Sequence, residues 1–214
     1  MKFYKNIPLI ILDVDLEDDF TGMYANSGVY DPAVGIEKYC FSNPIELQRF
    51  DSNSKEQIIT SVSILADTPI ERKDKNGDRY YVMFDKKSIQ NIRNKRIKSG
   101  TQNNFTLYHD STKKVEGIYL VESFIHRKDR AESKLFEVPE GSLIDTYWVE
   151  DRTQYDKLVN DDKFKGFSIE INAGQRERYD NLDDIDTVIQ MQEILSSNFS
   201  KTKKKELIKK LLKK

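Results

Sequence analysis

Between Gly166 and Ile171 the chain alternates large apolar and polar side chains without a break. A period of two puts Phe167, Ile169 and Ile171 on one side of a strand and Ser168 and Glu170 on the other. A segment with one covered face needs a sheet around it, and the sequence offers several partners. Ile58 to Leu65 is rich in β-branched residues and partly alternating, which suits a pleated surface. Lys73 to Asp78 then carries Asn76-Gly77, a turn signal because a type I′ turn needs positive φ at both central residues. Arg79 to Phe84 reads as the strand returning from that turn. Phe105 to His109 is a short strand ended by a polar turn over Asp110 to Lys114, and Gly117 to Ile125 is a longer strand. Leu143 to Val149 is another, with Trp148 as its largest anchor.

Two helices punctuate this series. Asp85 is placed to cap one over residues 86–98, with Ile89, Ile92 and Ile97 apolar and Gly100 just beyond its end. Asp151 caps the second, over about 152–161, with Tyr155, Leu158 and Val159 apolar. Residues 127–141 form a charged loop. The first 56 residues show no sustained period: Leu9 to Leu16 suits a strand, and Tyr24, Tyr30, Tyr39 and Phe41 are available for packing, but Gly, Asn and Pro interrupt them. They are expected to form an irregular N-terminal extension. After Asn172-Ala173-Gly174 the strand signal stops. Residues 175–214 read as a charged tail with two helical stretches, Ile185 to Leu195 and Lys201 to Lys214, the latter with Leu207, Ile208, Leu211 and Leu212 on one face.

At 214 residues the chain has room for one domain with a sizeable core plus tails. Its charge is uneven: residues 201–214 hold eight Lys against one Glu, +7, which leaves −8 on the rest of a chain that totals −1. The body therefore has no general attraction for nucleic acid or acidic membranes, whereas the last stretch has. The single cysteine, Cys40, excludes an intrachain disulfide. With two histidines and no ligand pair at finger spacing, a structural metal is not expected, nor is a cofactor. The apolar run Ile7 to Leu12 is broken by Pro8 and followed by acidic residues, so neither a membrane span nor a signal peptide is expected.

Candidate chemistry centres on few residues. A serine nucleophile needs a nearby neutral imidazole and donors for the oxyanion. His109, where a strand meets a turn, is the better base. His126 stands beside Arg127, Lys128 and Arg130, which make an imidazolium costlier. Taken alone, either histidine reads as a surface residue and Ser168 as a solvated strand serine.

Four stretches in order carry a resemblance: Phe105-Thr106-Leu107-Tyr108-His109-Asp110, then Gly117 to Ile125 with Val121-Glu122-Ser123, then Tyr147-Trp148-Val149, then Gly166-Phe167-Ser168-Ile169-Glu170. Together with Ala66 to Arg72 and Tyr81 to Asp85, they resemble the XkdF-like phage serine proteases over about residues 57–173. These belong with the prohead proteases, which are similar to the herpesvirus assemblins. The resemblance implies an α+β fold, mainly an antiparallel β barrel with flanking helices, as a protease domain over 57–174. It implies a capsid-maturation endopeptidase that cleaves scaffold, major capsid protein and itself inside the procapsid in the host cytoplasm, and that is retained in the virion in some cases. Ser168 is then the nucleophile and His109 its base. The third member is Glu122, on the strand expected to pair with that of His109, or Glu170, which shares a strand face with Ser168. Asp110 is expected to point away. Arg176 and Arg178 are counterparts of the assemblin oxyanion arginines. The Lys-rich helix is left three roles: docking on scaffold or capsid protein, contacting nucleic acid, or removal by self-cleavage. Self-association is a further expectation, and the alternative to an active enzyme is an inactive structural protein of the capsid interior.

Overall fold

A computed structural model describes residues 7–29, 56–129, 136, 138–161, 164, 166–179, 190, 194, 197 and 199–211. The fold is α+β. In chain order the elements are β1 (Leu9–Asp13), β2 (Gly22–Val29), β3 (Ile58–Ile64), β4 (Ile70–Lys73), β5 (Arg79–Met83), α1 (Lys86–Lys98), β6 (Phe105–Leu107), β7 (Asp110–Lys114), β8 (Ile118–Ile125), β9 (Leu143–Val149), α2 (Arg152–Asn160), β10 (Gly166–Asn172), β11 (Gly174–Tyr179) and α3 (Lys201–Leu211). They build three sheets, β11-β1-β5-β4, β10-β2-β6-β7 and β3-β9-β8, none of which closes into a barrel among the described residues. Pairing is antiparallel except for β1 with β5 and β2 with β6. No helix among the described residues is long and apolar enough to cross a membrane.

The helices form where local chemistry calls for them. Asp85 accepts from Ser88 N at 2.8 Å and Asp151 from Gln154 N at 2.7 Å, each satisfying an amide that the first turn leaves unpaired. α1 turns Ile89 and Ile92 into a core with Ile64, Phe84 and Leu143. A second core gathers the rings of Phe105, Tyr147 and Phe167, edge to face with centroids 5.1–5.7 Å apart. Burying a ring such as Phe167 completely contributes about 1.5–3 kcal/mol.

The N-terminal expectation is corrected. Leu9–Asp13 and Gly22–Val29 are strands inside two of the sheets, and β2 is central in its own. Glycine and asparagine concealed β2 because they are poor strand formers, yet both are needed there. A Cβ on Gly28 would lie 2.4 Å from the Phe164 ring, and Asn26 is a fully buried donor. Tyr30, Tyr39, Phe41 and Cys40 lie outside the described residues, as does most of the expected helix Ile185 to Leu195. The tail also starts later than residue 175, because Gly174–Tyr179 pairs antiparallel with β1. An edge strand tolerates that run of charge. The basic helix is present as α3, with Leu207 and Ile208 half-buried.

Three local expectations also change. The Asn76-Gly77 turn joins β4 to β5, not β3 to β5, and only Gly77 has positive φ, so it is not type I′. Asp110 to Lys114 is a strand, and the turn is Tyr108-His109. In β9 it is Tyr147 that is fully buried, while Trp148 is partly exposed and stacks on Tyr119.

Two polar clasps lock the parts together. Arg96, from α1, is almost fully buried and donates to Asp145 Oδ2 of β9 at 2.7 Å, to the Gln102 carbonyl at 2.9 Å and to the Tyr147 hydroxyl. Asn26 of β2 and Ser63 of β3 donate to the same Asp145 oxygen at 3.1 and 2.7 Å. Burial pushes the Tyr147 phenol well up, and the Asp145 carboxylate adds to this, so the hydroxyl stays neutral. The second clasp is Arg176 of β11, which pairs with Asp13 Oδ2 at 3.2 Å and with Asp85. Burial works to raise the Asp85 pKa, but hydrogen bonds from Arg176 and Ser88 outweigh it and bring it below its ordinary 3.8.

Replacing Asp145 with Ala strands the Arg96 guanidinium in the interior and is expected to cost about 3–5 kcal/mol, measured by urea unfolding. A double variant, Asp145→Leu with Arg96→Met, should recover most of that loss. Replacing Asp85 with Asn is expected to cost about 1–3 kcal/mol at neutral pH, as for a hydrogen bond to a charged partner. Since the folded pKa is depressed, wild type should keep this advantage above about pH 5 and lose it as the pH falls below about 4. Unfolding curves of both proteins at a series of pH values test the sign.

Candidate functional site

Sheet β10-β2-β6-β7 sets a row of hydroxyls side by side. Ser168 of β10 is paired with Ser27 of β2, and Ser27 with Thr106 of β6. Residues directly opposite in a ladder share a face, so the three side chains project from the same side of the sheet. Glu170, two residues along from Ser168, projects from that side too, and its Oε1 accepts a hydrogen bond from Thr106 Oγ1.

His109 reaches this row from the turn joining β6 to β7. Leu107 and Asp110 are paired, so the link is two residues long. Such hairpins use turns with positive φ at both positions, and Tyr108 and His109 both have φ of +57°. Non-glycine residues are costly there, by about 1–2 kcal/mol each. The turn is held by three bonds: Tyr108 N to the Gly28 carbonyl at 2.8 Å, Tyr108 Oη to Asp161 Oδ2 at 2.8 Å, and His109 N to Ser27 Oγ at 2.9 Å. The imidazole is 44% exposed, and its Nδ1 stands 4.0 Å from Glu170 Oε1.

Ser168 is 1% exposed, and among the described residues its Oγ has no hydrogen-bond partner. It is not bonded to His109, but both side chains line one cavity of about 250 Å³, together with Ser63 and mostly apolar residues that include Leu65, Phe84 and Ile169. A serine and a histidine thus line one cavity, and the Glu170 carboxylate stands outside it, 4.0 Å from the imidazole Nδ1. This is the set that nucleophilic acyl transfer draws on, with the oxyanion donors not identified.

The sequence candidates fare differently. Ser168, His109 and Glu170 come together. Glu122 does not join them, because β8 pairs with β9 and not with β6. Its exposed carboxylate accepts from Thr146 Oγ1 at 3.5 Å, in a sheet that lacks His109. Asp110 is engaged within its own strand: hydrogen bonds from Lys113 and Thr112 hold its carboxyl down at about 2. Arg176 is taken up in the clasp with Asp13 and Asp85 rather than offered to an oxyanion. His126 is buried on the far end of β8, its backbone bonded to Ser142 and Gly141.

Sequence reasoning missed Ser27 and Thr106, which position His109 and Glu170. Thr106 lay within the quoted Phe-Thr-Leu-Tyr-His run and looked like a plain β-former. No local signal singled out Ser27, because only the register of β2 against β10 reveals its place. Removing its hydroxyl leaves the His109 amide without its acceptor. Ser27→Ala is expected to cost about 1–2 kcal/mol and to speed hydrogen exchange at the His109 amide, read by NMR, without changing exchange in α1.

No protein-family model, curated protein or solved structure matches this chain.

Proposed function

We propose that this protein is a serine endopeptidase of the phage capsid-maturation kind, acting through Ser168, His109 and Glu170. The observation that carries the reading is the shared cavity, which is lined both by Ser168, with its buried hydroxyl unpartnered among the described residues, and by His109, whose imidazole has the Glu170 carboxylate 4.0 Å away. Burying a hydroxyl without a partner costs stability, typically about 1–3 kcal/mol, which is an odd choice for a strand residue that only fills space. The substrate class, scaffold and major capsid precursors, rests on the resemblance of the four motif stretches, as does a barrel completed across sheets that remain separate here. β3 lies against β10 without a ladder between them, which is compatible with such a barrel.

In this mechanism His109 takes the proton from Ser168 Oγ as that oxygen bonds to the carbonyl carbon of the scissile peptide. The imidazolium, steadied by Glu170, returns the proton to the departing amine as the carbon–nitrogen bond breaks. Water, deprotonated by the same imidazole, then releases the acyl group and restores the serine. The Ser168–His109 hydrogen bond is absent in the free enzyme. Contacts of this kind commonly tighten only when substrate fills the site.

That same missing bond favours a second reading, an inactive shell-interior protein that keeps the fold. One experiment separates them. The chain is combined with its cognate scaffold and capsid precursors, and cleavage is followed by mass spectrometry. Ser168→Ala should reduce cleavage by about 1,000-fold or more while raising thermal stability, since the orphan hydroxyl is gone. Glu170→Gln should slow cleavage, and Glu122→Gln should leave it within about two-fold. Undiminished processing by Ser168→Ala removes it from the mechanism, and no processing by wild type supports the inactive reading.

A further inference from the structure

The cavity beside Ser168 has more to say than that a nucleophile faces it. We infer that it is the subsite for the side chain of the residue whose carbonyl is attacked, and that it takes a large aliphatic or aromatic side chain. This rests on the proposed acyl-transfer reading and names its substrate class.

Three observations converge. The first is placement: Ser168, nine-tenths and more buried and with an Oγ that has no partner among the described residues, is one of the residues that line the cavity. Whatever enters the cavity lies against the nucleophile. The second is chemistry. The deep wall is made of Leu65, Val82 and Phe84, all buried, and half-buried Ile70, Ile169 and Ile171 continue it outward. No carboxylate lines it, and its charged group is Arg72 on edge strand β4, at the half-buried side. An ammonium would find no counter-ion there. A carboxylate would lose its hydration against a hydrocarbon floor. The third is size. A cavity of about 150 Å³ lined by Leu, Ile and Phe is enough to hold a benzene molecule. At about 250 Å³ this one has room for a leucine, methionine or phenylalanine side chain, whereas alanine would leave most of it empty. Each unfilled methylene forfeits a factor of about 10–200 in specificity.

The test uses the full-length protein and covalent serine probes. A fluorophosphonate with no peptide part reports whether Ser168 is a reactive nucleophile. A set of peptidyl diphenyl phosphonates, identical except for Leu, Phe, Ala, Asp or Lys in the position next to phosphorus, reports the subsite. The modified residue is located by mass spectrometry, with Ser168→Ala as control. The Leu and Phe probes are expected to label Ser168 at least about 10-fold faster than the Ala probe, with the Asp and Lys probes slower still. Ile70→Phe, which fills the cavity from an edge strand, should lower the Phe and Leu rates by about 10-fold while sparing the Ala probe. Its melting temperature shows that it has folded. Labelling by the plain fluorophosphonate with no preference among the peptidyl probes, or an Ile70→Phe profile equal to wild type, overturns the subsite and leaves the protease reading standing. Failure of the plain probe to label Ser168 overturns both.

Discussion

A single buried carboxylate, Asp145, holds the described body of this molecule together. It receives Arg96 from α1, Asn26 from β2 and Ser63 from β3 while sitting on β9, so one helix and strands of two sheets share it. A buried charge of either sign would be expensive alone, and three donors from different elements make the arrangement specific as well as tolerable. The consequence for the site is geometric. Strand side chains alternate faces, so fixing Asn26 toward Asp145 turns its neighbour Ser27 to the opposite side, where it accepts the His109 amide. Ser63 belongs to both places, bonded to Asp145 and lining the cavity shared by Ser168 and His109. The interior clasp and the surface chemistry are therefore one mechanical unit, and β2 is the part that couples them.

The turn at Tyr108-His109 shows what this rigidity is used for. Two consecutive non-glycine residues in the left-handed region stay there only because neighbours over-determine them. Gly28, Ser27 and Asp161 supply the three contacts, and two of these residues lie in β2. A glycine pair would make the same turn with less strain but could not present an imidazole. Strain of this type clusters where a side chain must be aimed, and the side chain aimed here faces Glu170 and the cavity.

Features with local causes were legible in the sequence. Asp85 and Asp151 announced α1 and α2 because capping is settled within four residues, and the alternation from Gly166 to Ile171 announced β10 as a strand, although burial does not alternate along it: Gly166, Phe167 and Ser168 are all buried, and Ile169, Glu170 and Ile171 are half-buried. Glu170 was legible as a companion of Ser168 from the same alternation. Features decided by pairing between distant segments were not. β2 was hidden by Gly28 and Asn26, whose justification lies in Phe164 and Asp145, more than 100 residues away in sequence. Glu122 was misplaced because the choice of β9 over β6 as partner of β8 leaves no local mark. The exchange of Tyr147 for Trp148 as the buried ring has the same origin: the larger side chain carries more apolar area, but the register of β9 between β3 and β8 decides which one turns inward. His109 was singled out as a base by its place between strand and turn, but its pairing with Ser168 came through resemblance, and spacing alone could not have joined them across 59 residues.

Ser168 itself brings these threads to one point. The β10–β2 ladder shifts register just after Glu170, so the regular alternation that places Ser168, Ser27 and Thr106 in line ends directly beyond the carboxylate. Ile169, before the shift, and Ile171, after it, both line the cavity. Ser168 and its apolar neighbours Ile169 and Ile171 thus line the same cavity. In a sheet selected for stability alone, alanine at position 168 would remove an unsatisfied hydroxyl at no loss of hydrogen bonding, and the chain carries serine there instead. Stability set aside in this way, in a cavity that His109 also lines, is the feature on which the proposed acyl-transfer reading rests.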